Sequence, residues 1–282
     1  MSDFIDLHVH TTASDGTFSP TEVVKLAASK QLSAVAITDH DTISGYNEAL
    51  KAAHEYNLEI IPGIELNTRY TGAVHILGYL IDQDNAELVK ELHNIVDERD
   101  RRNREICAMM QADGLPVDYE KLKRRFGEVI GRPHFAKVLF ELGLANDIQS
   151  ALRFHLEKDQ RYYSPRRPLS TERAIEVIRI AGGAPVLAHP FQYRLDDSAL
   201  QDLIRHCLEH GLVGMECFYS GYSEEQSRYL MSLAQKYGLL ITGGSDFHGS
   251  VKPHIMLGSG TGNLSIPYSY LQKLKIWHQK TL

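Results

Sequence analysis

A chain of 282 residues, with 43% hydrophobic and 23% charged side chains, is long enough to bury a barrel-sized core and has the composition of a globular protein. Its net charge of −6 argues against a broadly basic, nucleic-acid-coating surface while leaving room for a local basic pocket. Three cysteines without a C-x-x-C spacing argue against a disulfide framework or zinc ribbon, and the lack of a basic leader or of a long apolar run points to a cytoplasmic protein with no membrane attachment.

In chain order, FIDLHVH alternates apolar and polar residues and predicts a strand with His8 and His10 on one face. SPTEVVKLAASKQ follows, with Ser19 as N-cap, Pro20 at N1 and Glu22 at N3 of a helix. LSAVAITDH reads as a buried strand and ISGYNEALKAAHEYN as an amphipathic helix, with Asp41 as the expected cap. LEIIPGIELNT and AVHILGYLI are a third and a fourth strand.

Residues 83–165 break the rhythm: DNAELVKELHNIVDERDRRNREICAMMQADG is a long, charge-laced helical pattern, and few strand signals follow it. We read 83–165 as an inserted helical cap subdomain and 1–82 with 166–282 as the barrel domain. TERAIEVIRIAGG, APVLAHP, DSALQDLIRHCLEHG, LVGMECFY, SEEQSRYLMSLAQKYG and LLITGGSDFHG then alternate helix and strand. About seven β/α units predict a parallel sheet closed as a barrel, with a doubly wound open sheet as the alternative.

The strand ends carry the chemistry. The first bears His8 and His10, with Asp15 in the following loop; the second ends in Asp39, His40 and Asp41; the third carries Glu65. His75 lies on the fourth, His189 ends the fifth, and Asp246 and His248 end the last. Nitrogen and oxygen donors without thiolate suit zinc, manganese or iron in a catalytic rather than a structural site. So many donors are used sensibly by two or three ions sharing a bridging carboxylate. His54, His93, His155, His206, His210 and His278 fall in helical patterns and read as structural or exposed.

Phosphate would also need cationic groups. GRPHFA offers Arg132 and His134, and an arginine fork matches phosphate oxygens. EKDQRYYSPRRPLS adds Lys158, Arg161, Arg166 and Arg167 beside Tyr162 and Tyr163, and Arg194 follows the fifth strand. Glu216, Phe218, Tyr219 and Tyr222 reach another strand end, where they either cradle a base or pack the rim. Neither a G-x-S-x-G elbow nor a G-x-x-x-x-G-K-[ST] loop is present, which argues against serine nucleophile and P-loop chemistry.

Taken together, DLHVHTTASDG, AITDHDT, GIELN, HILGY, AHP and GSDFHG resemble the signature of the PHP (polymerase and histidinol phosphatase) superfamily over most of residues 3–80 and 184–260. With GRPHFA the chain is similar to the bacterial members that remove the 3′-phosphate of nucleoside 3′,5′-bisphosphates, a subgroup that includes RNase AM-type 5′-to-3′ exoribonucleases acting on short RNA. The resemblance implies an α/β fold, a distorted (βα)7 barrel of the PHP type with the helical insert.

It also implies one metal on His8, His10, Glu65 and Asp246, a second on Glu65, His75 and His189, and a third on Asp15, His40 and His248. Catalysis would rest on His8, His10, Asp15, His40, Glu65, Asp246 and His248, and substrate binding on Arg132, His134, Lys158, Arg166 and Arg194. Where some members carry a histidine, Asp15 makes the third site harder, which favours manganese or iron over zinc. The expected reaction is phosphoester hydrolysis by metal-activated hydroxide, on a nucleotide bisphosphate or short RNA, with no membrane and no obligate protein partner. Histidinol phosphate hydrolysis and a non-catalytic metal-binding module are the alternatives; the filled ligand positions disfavour the second and GRPHFA the first.

Overall fold

The structure is a computed structural model that describes residues 3–127, 130–165 and 168–281. Its elements are β1 (Phe4–Val9), α1 (Pro20–Ser29), β2 (Ala34–Ile37), α2 (Gly45–Ala53), β3 (Glu59–Arg69), β4 (Ala73–Tyr79) and α3 (Ala86–Ala112). Three shorter helices follow, α4 (Tyr119–Phe126), α5 (Arg132–Glu141) and α6 (Ile148–Ala151). After them come β5 (Leu169–Ser170), α7 (Thr171–Ile180), β6 (Ala184–Leu187), α8 (Asp197–Glu209), β7 (Gly214–Tyr219), α9 (Glu224–Tyr237), β8 (Leu240–Gly244), β9 (Ile266–Pro267) and α10 (Tyr268–Thr281). The chain divides into two compact units, Met1–Leu92 with Leu169–Leu282, and His93–Pro168; the division falls within α3.

In the first unit one sheet runs β8-β7-β6-β4-β3-β2-β1-β9, with β5 beside β3. It is mixed, where the β/α rhythm predicts a parallel one. β4 lies antiparallel to both β3 and β6, and β9 antiparallel to β1. The cause is local: only Tyr70, Thr71 and Gly72 separate β3 from β4, and a link that short can join only antiparallel neighbours. The sheet nearly closes into a barrel. β1 and β8 meet at their carboxyl ends through a bridge between Val9 and Phe247 and through Asp246 N–H donating to His8 O at 2.8 Å.

One apolar cluster gathers Ile5, Leu7, Ala36, Leu77 and Val186 with Leu271 and Leu274 of α10; another packs Val9, Val35 and Ile37 against Val23 and Val24 of α1. Strand β1 therefore changes sides between Leu7 and Val9, where its register against β2 shifts. Such a bulge re-aims the residues after it, and it lets an apolar 5,7 stripe coexist with site-facing His8 and His10. The capping box predicted at Ser19 is present: Glu22 N–H donates to Ser19 Oγ at 3.2 Å and Ser19 N–H to Glu22 Oε2 at 2.8 Å.

Asp41 does not cap a helix. Its backbone is left-handed (φ 55°), Ser44 precedes α2, and its carboxylate instead accepts Asn67 N–H and Nδ2–H, each at 3.0 Å, pinning the His40 loop to β3. The second unit has its own core, of Ile106, Met110, Phe135, Leu139, Leu156 and Tyr162 among others. Among the described residues no helix is long and apolar enough to cross a membrane. The three cysteines are buried and unbridged.

The seam between β1 and β8 depends on Gly244, where a Cβ would lie 2.3 Å from His8 Cβ and 2.4 Å from His8 N. Backbone cannot yield as a flexible side chain does, so Gly244→Ala is expected to destabilise the fold by about 1–3 kcal/mol or more. A urea midpoint unchanged from the parent would refute this.

Candidate metal centre

The nine sequence-predicted ligands lie on or just after six strands, β1, β2, β3, β4, β6 and β8, and the sheet brings them together. Glu65, buried on β3, is the meeting point. Its Oε1 lies 2.8 Å from His75 Nδ1 and 2.9 Å from His189 Nε2; its Oε2 lies 3.1 Å from His40 Nδ1, 3.2 Å from His10 Nε2 and 3.3 Å from His8 Nε2. Antiparallel pairing of β3 with β4 is what carries His75 to this side. Asp246 Oδ1 is 3.3 Å from both His10 Nε2 and His248 Nδ1, and Asp15 Oδ1 is 3.3 Å from His248 Nε2. Asp15, at 49% side-chain exposure, marks the open side, while His8, His10, Glu65, His189, Asp246 and His248 are buried.

Donor atoms converge into overlapping groups: His10, Asp15, His40 and His248; His8, His10 and Asp246; His8, Glu65 and His189; His40, Glu65 and His75. Within each group the atoms lie within 4.8 Å of one another. A fit to divalent cations is supported by the ring nitrogens themselves. His8 Nε2, both ring nitrogens of His10 and His189 Nδ1 are buried without a hydrogen-bond partner. The 3.2–3.3 Å approaches of His8 and His10 to Glu65 are close yet misaligned for hydrogen bonds, as lone pairs aimed at a common point would be. Buried polar atoms of this kind are otherwise costly. His10 belongs to two groups, but a neutral imidazole has one ring lone pair and can serve only one of them.

Second-layer groups set which nitrogen faces inward. Buried Glu216 accepts from His8 Nδ1 at 2.9 Å through Oε1 and from His189 N–H at 2.8 Å through Oε2. The first contact leaves His8 Nε2 free to ligate. His248 Nδ1 lies 2.9 Å from Asp246 O, which turns its Nε2 to Asp15. Tyr219 Oη donates to Asp246 Oδ2 at 2.7 Å and Lys252 Nζ at 2.6 Å, so Oδ1 is the atom presented to the histidines. Two ligands hold unusual backbone: φ is 24° at His189 and 57° at Asp246. Such strain is kept where the surrounding structure requires it.

Electrostatics follow from burial among opposite charges. Burial pushes His8 down, but Glu216, Glu65 and Asp246 outweigh it and raise His8 well above its ordinary value. Against the same burial, Asp246 and Glu65 raise His10 to about 9. His40 goes the other way: burial, helped by the neighbouring His10 and His75, overrides Glu65 and lowers it to about 4. Burial opposes ionisation of Glu65, Asp246 and Asp15 as well, yet the histidines around each hold all three below their usual range.

The expected phosphate-reading residues are more dispersed. Arg194 is exposed, in left-handed backbone (φ 53°) just after the turn that holds His189, in the first unit. In the second unit Arg132 and Lys158 are exposed and His134 Nδ1 accepts Gly131 N–H at 2.9 Å, capping α5. Arg161 is paired with Asp113, which also accepts Tyr162 Oη–H at 2.8 Å, so that part of the basic patch is structural. Arg166 and Arg167 lie outside the described residues. The MECFYSGYS cluster is no open base cradle: Tyr219 and Tyr222 are buried, Phe218 packs on Tyr270, and Tyr222 Oη accepts Phe191 N–H at 3.0 Å. Glu216 and Lys252 were not on the predicted ligand roster. Glu216 sits mid-strand and Lys252 in a loop, and no local spacing marks either.

Comparison with known proteins agrees with this geometry. A family model described as the PHP domain matches residues 6–210. The 5′-3′ exoribonuclease Rnm of Escherichia coli is 32% identical over 278 residues, covering 97% of this chain and 94% of the relative. The 3′,5′-nucleoside bisphosphate phosphatase of Chromobacterium violaceum is 32% identical over 247 residues, covering 86% and 87%. A solved structure from Bifidobacterium adolescentis, assigned as a metal-dependent phosphoesterase, superposes with a TM-score of 0.81 at 30% identity over 96% and 95% of the two chains.

Glu216→Gln places an amide donor against a group that already donates, so metal affinity is expected to fall about 10–100-fold; chelator competition measures it, and parental affinity would remove Glu216 from the ligand-orienting role. Because His8 and His10 are raised and must shed protons to ligate, affinity should climb as pH rises toward about 9. Each displaced proton adds roughly tenfold per pH unit. Calorimetry in buffers of different ionisation enthalpy would detect the released protons, and a flat affinity between pH 6.5 and 8.5 would contradict the assignment.

Proposed function

The chain belongs to the PHP domain family, and from that premise we propose that it removes the 3′-phosphate of nucleoside 3′,5′-bisphosphates and degrades short 5′-phosphorylated RNA from its 5′ end. It is a hydrolase of phosphoester bonds. The observation that carries this reading is the buried Glu65 carboxylate ringed by His8, His10, His40, His75 and His189. Divalent cations held there would lower the pKa of water and neutralise phosphoryl oxygens.

We assign two or three such ions: His8, His10, Glu65 and Asp246 for one, Glu65, His75 and His189 for another, Asp15, His40 and His248 for a third; in the structure His189 groups with His8 and Glu65, and His75 with His40 and Glu65. Manganese is our choice of ion, with iron or zinc as alternatives, because Asp15 makes the third of these sets harder than a histidine there would.

The protein's own part is to hold donors and place charge. Glu65 spans the donor groups with its two oxygens, so their spacing is fixed by one side chain. His40, held low at about 4, is unprotonated at neutral pH and presents a lone pair at the exposed edge. Lys252 binds the far oxygen of Asp246 and adds to the larger effect of His10 and His8, which hold that carboxylate ionised against its burial. Removal of the 3′-phosphate and release of the 5′-terminal nucleotide are the same displacement at phosphorus, the 3′-oxygen leaving in both; they differ only in whether that phosphorus also carries the rest of the chain.

Reading of the substrate's second phosphate is assigned to Arg194 in the first unit and to Arg132, His134 and Lys158 in the second; Arg166 is part of the same proposal. The division into a barrel domain of residues 1–82 and 166–282 and a helical insert of 83–165, and a cytoplasmic setting, belong to this reading too.

A phosphate-release screen with Mn²⁺ over 3′,5′-bisphosphates, mononucleotides, histidinol phosphate and short 5′-phosphorylated RNA tests it. The bisphosphates and RNA should lead, and preference for histidinol phosphate would overturn the substrate class. Asp246→Ala should lower kcat by at least about 10²–10³-fold. Arg194→Ala and Arg132→Ala should each raise KM for a bisphosphate about 10–100-fold, the equivalent of one charged hydrogen bond, and leave aryl phosphate turnover unchanged. Equal effects on both substrates would deny the arginine a phosphate-reading role.

A further inference from the structure

Outside the barrel centre, a separate set of metal-type donors lies on two helices of the same unit. His206 and His210 are four residues apart on α8 and at its C-cap, so their rings share one helix face. The ring centroids are 4.9 Å apart. From α7, Glu172 brings Oε1 to 2.5 Å from His206 Nε2. One ligand atom from each of the three lies within 4.8 Å of the others.

A Glu–His ion pair would explain Glu172 and His206 but leaves His210 without a purpose. The surroundings favour a cation. Glu172, Glu176, Glu209 and His210 line a groove of about 770 Å³ that Arg173 and Arg179 also border, so three carboxylates stand there against two guanidiniums. The nearby Arg173 is already engaged by Glu87, Glu91 and Glu176. Tyr70, its ring centroid 4.6 Å from that of His206, limits how that imidazole can turn. Cys207 lies between the two histidines in sequence but faces the core, and burial pushes its thiol up to about 12, so no thiolate enters the set.

We propose that Glu172, His206 and His210 form a second metal site that takes a borderline ion of the zinc or nickel class and ties α7 to α8. Two imidazoles and one carboxylate suit zinc, nickel or copper and select against magnesium and calcium, which want an oxygen shell. Three protein donors leave a coordination position open to solvent. None of the three donors belongs to the barrel set, and the groove is open, so this ion exchanges without disturbing the barrel.

The test uses the full-length protein and its His210→Ala and Glu172→Gln variants, loaded with Mn²⁺ and dialysed against micromolar Zn²⁺. His210 is exposed, so its removal should leave the fold intact, which circular dichroism checks. Each variant is expected to retain about one equivalent less zinc than the parent, with phosphate release unchanged. Crystals of the parent should show zinc anomalous density between α7 and α8. Equal zinc in parent and variants, or no density there, overturns the site; so does a zinc loss accompanied by lost phosphate release, which would place the ion in the barrel. The zinc count does not rely on turnover, so it stands or falls apart from the proposed substrate.

Discussion

Five imidazoles meet one buried carboxylate at Glu65, and most of the first unit can be understood as the means of holding them there. An ionised carboxylate removed from water is costly unless it is paired, and a buried imidazole nitrogen without a partner is costly too. Glu65 and its neighbours settle part of that cost among themselves. Among the remainder, at His8 Nε2, the nitrogens of His10 and His189 Nδ1, each ring has at most one lone pair that a cation can satisfy. The site is thus under-satisfied by design of its donors, and its affinity for positive charge follows from that deficit.

Around this centre the supporting groups act by removing freedom. Glu216 uses both oxygens, one to choose the His8 tautomer and one to hold the backbone of His189. Tyr219 and Lys252 occupy one oxygen of Asp246 and so present the other. Unfavourable backbone at His189 and Asp246 is concentrated where ligand direction matters. Two otherwise unrelated features, a bulge in β1 and the hairpin before β4, do the same for His8, His10 and His75.

Much of this was legible in the chain. The alternation around His8 and His10, the capping box at Ser19, the strand-terminal histidines and the helical stretch after residue 83 are local signals, and local signals survive in sequence. What stayed hidden was non-local. Nothing in FIDLHV reveals that its register against β2 shifts, because the shift depends on the partner strand. Asp41 looked like a cap because its neighbours suit one, yet its partner Asn67 is 26 positions away. Glu216 reads as one member of a strand-end aromatic cluster, and its role beside His8, 208 positions distant, shows only in the fold. The aromatic residues beside it read equally well as a ligand cradle or as packing, and burial decided for packing.

The seam where β8 meets β1 has a consequence for how the protein comes into being. Ser245 donates to Asp6 across 239 positions, and the same closure sets Asp246 beside His8 and His10. Contacts so distant along the chain bear the largest loop-closure entropy. Donor groups that need both margins of the sheet are therefore completed only when the fold is. A chain that lacks β8 carries most of the ligands but not Asp246 and His248. The metal centre is in this sense a property of the closed sheet and of no single segment of the chain.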